Sequence, residues 1–371
     1  MRKQIALVLA LMMVLVSMMS VAYAEEAPEQ QPIADINQWI KAQADMLAPS
    51  EKQINIFTWT YYIPDEVVDE FSAMTGISVN YSATMGDNEE MKAKLISAPE
   101  AYDLLVVSDY IIGDLAALGL LHEYDREKIP NYLNIDPSYQ SQYYDPDNLY
   151  SIPYTNTVPL LCYNADLVSA PIHGYADLWN EEYEGRLSIV AEMRAVIGMA
   201  QKKLGFSYNE TDPEKMALVG QELATLKPNI MTFNSDVPHR ALISGDATAG
   251  FMYGSQVAAA RSMVPNMKVV YPAEGIGFGI DNLIVPKRAP HLDATYIFLN
   301  YLLDGKVSAA TSDYIDYGNC NLAASEFMTP EFLADETINV PKELIGQAEM
   351  IMPIDAQTMK IYDEIWVNFR Q

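Results

Sequence analysis

Cysteine is nearly absent: Cys162 and Cys320 are the only two in 371 residues. So few exclude a disulfide scaffold, leaving either one bridge or, as we expect, two free and buried thiols. Histidine is also scarce. His122, His173, His239 and His291 stand singly, with no HExxH helix or cysteine cluster beside them, so no metal site is expected. Basic residues are outnumbered, 23 Lys and Arg against 50 Asp and Glu, for a formal charge of −27. This balance disfavours nucleic acid and anionic lipid as partners and attracts cations. No serine sits in a GxSxG elbow, which removes the commonest serine-hydrolase signal. The run Gly275-Ile276-Gly277-Phe278-Gly279 is followed by strand-like sequence, Asp281 to Val285, instead of the helix that a dinucleotide fingerprint requires. A hinge or a close backbone approach is the better reading there, and no cofactor is expected.

Long apolar runs are missing except for one, Ile5 to Val21. Arg2 and Lys3 precede it and Ala22-Tyr23-Ala24 follows, the charged, apolar and small-residue order of an export signal. Residues 1–24 are therefore expected to be a cleaved signal peptide, with an uncleaved anchor as the alternative. No cysteine follows the run, which excludes lipid attachment there. Residues 25–50 are acidic and punctuated by proline. Ile36, Trp39, Ile40 and Leu47 are spaced roughly as on a helix, so this stretch reads as a linker with a short helix or as a disordered spacer.

What remains exceeds one core, and two domains are the default. From Ile54 the pattern alternates strand and helix, as in a parallel sheet. Pro64 suits a first helical position, Asp65 and Glu66 suit the positive helix start, and Gly76 ends the helix. Ile77 to Ser82 and Asp103 to Val107 are further strands, and Tyr110 to Leu118 a helix. Ser151-Ile152-Pro153-Tyr154 follows a Pro/Asp/Tyr-rich loop and precedes a new apolar strand, Val158 to Tyr163, which places a domain crossing there. Strands at Leu187 to Val190 and Ala249 to Tyr253, and helices from Val196, Pro213 and Val257, build a second unit. The glycine run then returns the chain to the first. The expected division is 51–155 with 276–322, and 156–275 with 323–371: two discontinuous α/β lobes with a cleft and hinge between them.

In open α/β sheets ligands sit beyond the carboxyl ends of strands, so Thr58-Trp59-Thr60-Tyr61-Tyr62, just after the first strand, reads as a recognition wall. Glu192 follows one strand and Asp281 follows the glycine run, so both face the expected cleft. A carboxylate pair across a cleft is also glycosidase chemistry, the reading from a different functional class.

The order and spacing of TWTYYIPDEVVDEF, AYDLLVVSDY, YSIPY, YADLWNEEYEGRL, KKLGFS, PNIMTFNSD, YPAEG to IDNL, and CNLAA resemble the polyamine-binding proteins of bacterial ABC importers, from about Ile54 to Phe369. The resemblance implies a fold like that of the periplasmic binding proteins. It also implies an extracytoplasmic, monomeric carrier, not an enzyme, that delivers a spermidine- or putrescine-like cation to a membrane permease. Carried over by position, Trp59, Tyr62, Tyr253 and Tyr317 match wall aromatics. Ser108, Tyr110 and Ser235 match polar or aromatic contacts, Asp281 matches the amine-binding aspartate, and Glu192 another acidic position. Tyr61 and Ala195 stand where the spermidine carrier has acids, Gly279 where it has a tryptophan, and Met352 where it has an amide. Two carboxylates neutralise a diamine but underserve a triamine, so a putrescine-like ligand is favoured, unless Asp109 or Asp236 turns inward. Another small organic cation or an amino acid is the alternative.

Overall fold

The computed structural model describes residues 31–60, 62–82 and 88–371. The signal peptide expected at 1–24, the first residues of the linker, and Tyr61 lie outside them.

Among the described residues twelve strands form two sheets: β1 Gln53–Phe57, β2 Ser78–Ser82, β3 Leu104–Ser108, β4 Ser151–Thr157, β5 Pro159–Asn164, β6 Leu187–Ile189, β7 Ile230–Phe233, β8 Ala249–Tyr253, β9 Met267–Val270, β10 Gly277–Ile284, β11 Gly318–Asn319 and β12 Glu349–Met350. A seven-stranded sheet runs β11-β4-β10-β3-β1-β2, with β12 pairing to β10, and a five-stranded sheet runs β7-β6-β8-β5-β9. Both are mixed, not parallel throughout. β1 pairs parallel to β2 and β3, but β10 lies antiparallel to β3 and β4. In the second sheet β6 is parallel to β7 and β8, while β5 is antiparallel to β8 and β9. The antiparallel members are the strands that flank the crossings, since a chain passing between sheets enters without a βαβ crossover to fix its direction.

Ser151-Ile152-Pro153-Tyr154 is itself part of β4, and the chain passes to the second sheet at Val158. The glycine run lies largely inside β10. Of its three glycines only Gly275, with φ +100, needs the left-handed region. Helix Asp65–Thr75 starts one residue later than read, with Pro64 as extended cap, and stops at left-handed Gly76. Tyr110 lies within a 3₁₀ turn, Asp109–Ile111, that precedes a short helix, Ile112–Ala117. Asp212 caps helix Pro213–Leu226 by accepting from the Glu214 and Lys215 N–H groups.

Helix Ile36–Met46 buries Ile36, Ile40 and Ala44 in the same cluster as Phe71, Phe298 and Tyr301 of helices Asp65–Thr75 and Leu292–Leu302. A second cluster, with Phe57, Leu105 and Val107, also belongs to the seven-stranded sheet, and the C-terminal helix Ala356–Arg370 contributes Tyr362 and Phe369 to the one around the five-stranded sheet, which takes in Phe278 and Ile280 of β10 as well. Both cysteines are free and buried. Among the described residues no helix is long and apolar enough to cross a membrane, and no cluster of metal-ligating side chains occurs.

Candidate functional site

Strand ends converge at one place. β3 ends at Ser108 and β1 is followed by Trp59, while antiparallel pairing sets Asp281, midway along β10, opposite Ser108. From the other sheet, β8 ends at Tyr253, and Glu192 caps helix Met193–Lys203 just after β6. Between them is a cavity of about 560 Å³, lined by Trp59, Tyr62, Ser108, Tyr110, Glu192, Ser235, Tyr253, Asp281 and Tyr317, the nine candidates, with further residues from both halves.

Asp281 is aimed by a β-irregularity. Register slips beside it: against β4, Asp281 faces Thr155 while Asn282 faces Pro153, which has no N–H to offer. The buried carboxylate then accepts from the Tyr62 hydroxyl at 2.6 Å and the Ser108 hydroxyl at 2.9 Å. Burial pushes its pKa up, and these two hydrogen bonds pull the other way. No lysine or arginine among the described residues forms an ion pair with it. Burial, with the Asp281 charge adding to it, holds the Tyr62 phenol well above its ordinary range.

The ring wall is continuous. Tyr62 lies 6.5 Å from Trp59 between ring centres and meets Tyr317 edge-on at 5.8 Å; Tyr317 in turn meets Tyr253 at 6.5 Å. That last contact joins the two sheets' halves. Tyr110 is fixed by Asn88, whose amide donates to the Tyr110 hydroxyl at 3.1 Å while its carbonyl accepts from the Ser108 N–H at 3.2 Å. Ser235 is exposed, its hydroxyl donating to the Ala191 carbonyl, and the Gln256 amide holds its backbone.

Asp109 and Asp236 also line the cavity, so the count of two carboxylates was incomplete. Their situations differ. The Asp109 carboxylate is buried and accepts from the Tyr110 N–H at 2.7 Å and the Ile280 N–H at 3.1 Å, standing in for a ladder carbonyl beside β10. Burial, then the charge of Asp281, raises its pKa. Asp236 is exposed.

Sequence reasoning missed Arg194. It lines the cavity while almost wholly buried, donating through one nitrogen to the Met352 carbonyl at 2.9 Å and the Asn209 side chain at 3.2 Å. Its guanidinium lies 5.5 Å from the Tyr110 ring centre and 5.4 Å from that of Tyr362, and Nε and Nη1 have no hydrogen-bond partner among the described residues. The available signal was a lone charge at the start of an otherwise apolar helical stretch, MRAVIGMA. Of the four departures, Ala195 and Gly279 line the cavity, with Ile351 beside them, while Met352 is half exposed. The chemistry on offer is cation binding: a buried, unpaired carboxylate beneath ring faces, with ordinary charge neutralisation left to a guest.

A family described as bacterial extracellular solute-binding protein matches residues 66–340. The chain is 34% identical to the spermidine/putrescine-binding periplasmic protein of Escherichia coli over 325 residues, covering 87% of this chain and 93% of that one. It is also similar to the putrescine/cadaverine-binding protein of Pseudomonas aeruginosa, 25% identical over 340 residues, with 87% and 95% covered. Among solved structures, a putative spermidine/putrescine ABC transporter from Listeria monocytogenes superposes with a TM-score of 0.82 at 25% identity, covering 86% of this chain and 99% of that one.

Proposed function

The chain belongs to the bacterial extracellular solute-binding proteins, and on that premise we propose that it captures a polyamine between its two lobes and delivers it to an ABC permease. The family binds and does not catalyse, so the hydrolase reading of Glu192 and Asp281 falls. The observation that carries the proposal is Asp281: a buried carboxylate with no cationic partner, set under Tyr62, Tyr317 and Tyr253. An ammonium placed there supplies the missing charge and gains on the order of 0.5–2 kcal/mol per ring contact.

A putrescine-like diamine is favoured over spermidine. Asp109 is engaged by two backbone N–H groups and Asp236 stands in solvent, leaving Asp281 and Glu192 as the natural poles for two ammonium groups. Closure is driven by contacts that both halves make only with ligand between them. The nine residues named above are the proposed contacts, and lobes of 51–155 with 276–322 and 156–275 with 323–371 the proposed moving bodies. The seven-stranded sheet draws on residues 53–157, 277–319 and 349–350 and the five-stranded sheet on 159–270, which supports this division apart from β12. Removal of residues 1–24 on export, a periplasmic or otherwise extracytoplasmic site of action and a monomeric state complete the proposal. Calorimetric titration with putrescine, cadaverine and spermidine tests it: heat and thermal stabilisation are expected, strongest with a diamine, and silence with all three discards it.

Arg194 favours a second reading, an amino-acid-like ligand whose carboxylate meets the guanidinium while its amine meets Asp281. Titration with 4-aminobutyrate beside putrescine separates the two, since they differ only in that end group.

A further inference from the structure

One face of β10 carries three successive positions with different fates. Side chains at 277, 279 and 281 point the same way along a strand. Over Gly277 lies the ring of Tyr208, so close that a Cβ there would come within 2.5 Å of it. At 281 stands the carboxylate. Between them, over Gly279, the described residues leave space: a Cβ built on it meets none of their atoms within 4 Å.

Neither backbone nor packing asks for glycine at 279. Its φ is not in the left-handed region, unlike that of Gly275, and no neighbour approaches as Tyr208 approaches Gly277. The residue lies on the cavity wall, so the missing side chain becomes cavity. Two residues beside this recess, Ala195 and Ile351, are slender or apolar, while Arg194 and Asp109 line the same cavity. The Tyr208 hydroxyl donates to the Ala195 carbonyl at 3.0 Å, which brings Ala195 to the same side, and the Ile351 N–H donates to the Phe278 carbonyl at 3.2 Å, which sets Ile351 next to Gly279.

Volume agrees. A four-carbon diamine has six heavy atoms, roughly 180 Å³ at about 30 Å³ each, the share of a water molecule in the liquid. The cavity is about 560 Å³. A bare diamine therefore fills only part of the cavity.

We infer that the site is built for an amine carrying a bulky, uncharged substituent, which fills the recess bounded by Gly279, Ala195 and Ile351 while its ammonium sits at Asp281. The inference rests on the amine reading above and adds to it the shape of the ligand. Putrescine and N-benzyl-1,4-diaminobutane are the probes, titrated calorimetrically into the full chain and into Gly279→Ala and Gly279→Trp. The unaltered protein is expected to bind the benzyl compound about tenfold more tightly than putrescine. Gly279→Trp should lower the ratio of benzyl to putrescine affinity at least tenfold, with Gly279→Ala between it and the unaltered protein. Gly279→Leu makes the same comparison if the indole prevents folding. Tighter binding of putrescine than of its benzyl derivative, or a benzyl affinity that ignores the side chain at 279, overturns the inference and leaves the amine reading standing. Failure of both probes with the unaltered protein removes both.

Discussion

Tyr62 and Asp281, 219 residues apart in the chain, share a 2.6 Å hydrogen bond from phenol to carboxylate. The phenol stays protonated because burial and the Asp281 charge both raise its pKa, so it always donates. Orientation of the carboxylate is therefore settled before any ligand arrives. Replacing Tyr62 by Phe should leave the ring wall intact and weaken putrescine binding by about 1 kcal/mol, roughly fivefold, the ordinary net worth of one hydrogen bond. Isothermal titration of the variant checks this.

Asp281→Asn keeps an acceptor for only one of the Tyr62 and Ser108 hydroxyls, turns an amide N–H toward the other, and removes the charge. The expected loss in diamine affinity is about 2–5 kcal/mol, because the bound ammonium is left buried without its counter-ion. An Asp281→Asn protein that folds normally and binds putrescine as well as the parent does would contradict the placement of the amine.

Acidity should weaken binding, and the sign follows from the carboxylate. Burial raises the Asp281 pKa above 3.8, so the group takes up a proton at a higher pH than a free aspartate does. Diamine affinity is expected to hold near neutrality and fall as the pH drops through that raised value. Titrations at stepped pH should show the fall in the parent and a shallower one in Asp281→Asn.

Asp316 ends helix Gly305–Ile315 in a left-handed conformation, φ +54, immediately before Tyr317. Burial, followed by the charges of Asp313 and Asp335, raises its pKa from 3.8 to about 6. A raised carboxylate favours the fold below pH 3.8 and loses that contribution as the pH climbs through about 6. Asp316→Asn, which also suits the left-handed backbone, should raise the melting temperature more at pH 8 than at pH 4. Equal shifts at the two pH values would refute the electrostatic part.

Gly254 opens helix Gly254–Met263 under the backbone of residue 337. A Cβ there would lie 1.9 Å from the Thr337 carbonyl oxygen, which is backbone and cannot swing aside. Gly254→Ala is expected to cost about 1–3 kcal/mol in urea unfolding, in the range of other overpacking changes.

Much of this architecture could be read from apolar patterning. The strand at Ala249–Tyr253 follows from an apolar run bounded by Thr248 and Gly254, and the stop at Gly76 from its place after an amphipathic helix. Helix Gly305–Ile315 was not legible, because its inner face holds Ser308, Thr311 and Ser312, and Ser308 and Ser312 are satisfied by the Asn319 side chain. Periodicity of apolar residues has nothing to detect there. Strand β7 is short and only half buried, and it was noticed as a motif without being assigned a conformation. At the cavity, aromatic residues after strands announced themselves, whereas Arg194 did not. Its role depends on Met352, Tyr110 and Tyr362, which only the folded chain brings beside it.

Enclosure of the two sulfur atoms has a use at the bench. Burial pushes the Cys162 thiol up to about 12 and raises that of Cys320 as well, so neither offers a thiolate at neutral pH. A maleimide added to the native protein meets no nucleophile until the shell comes apart. Timed labelling followed by peptide mapping would clock the opening of β5 through Cys162 and of the chain beyond β11 through Cys320, with no engineered reporter.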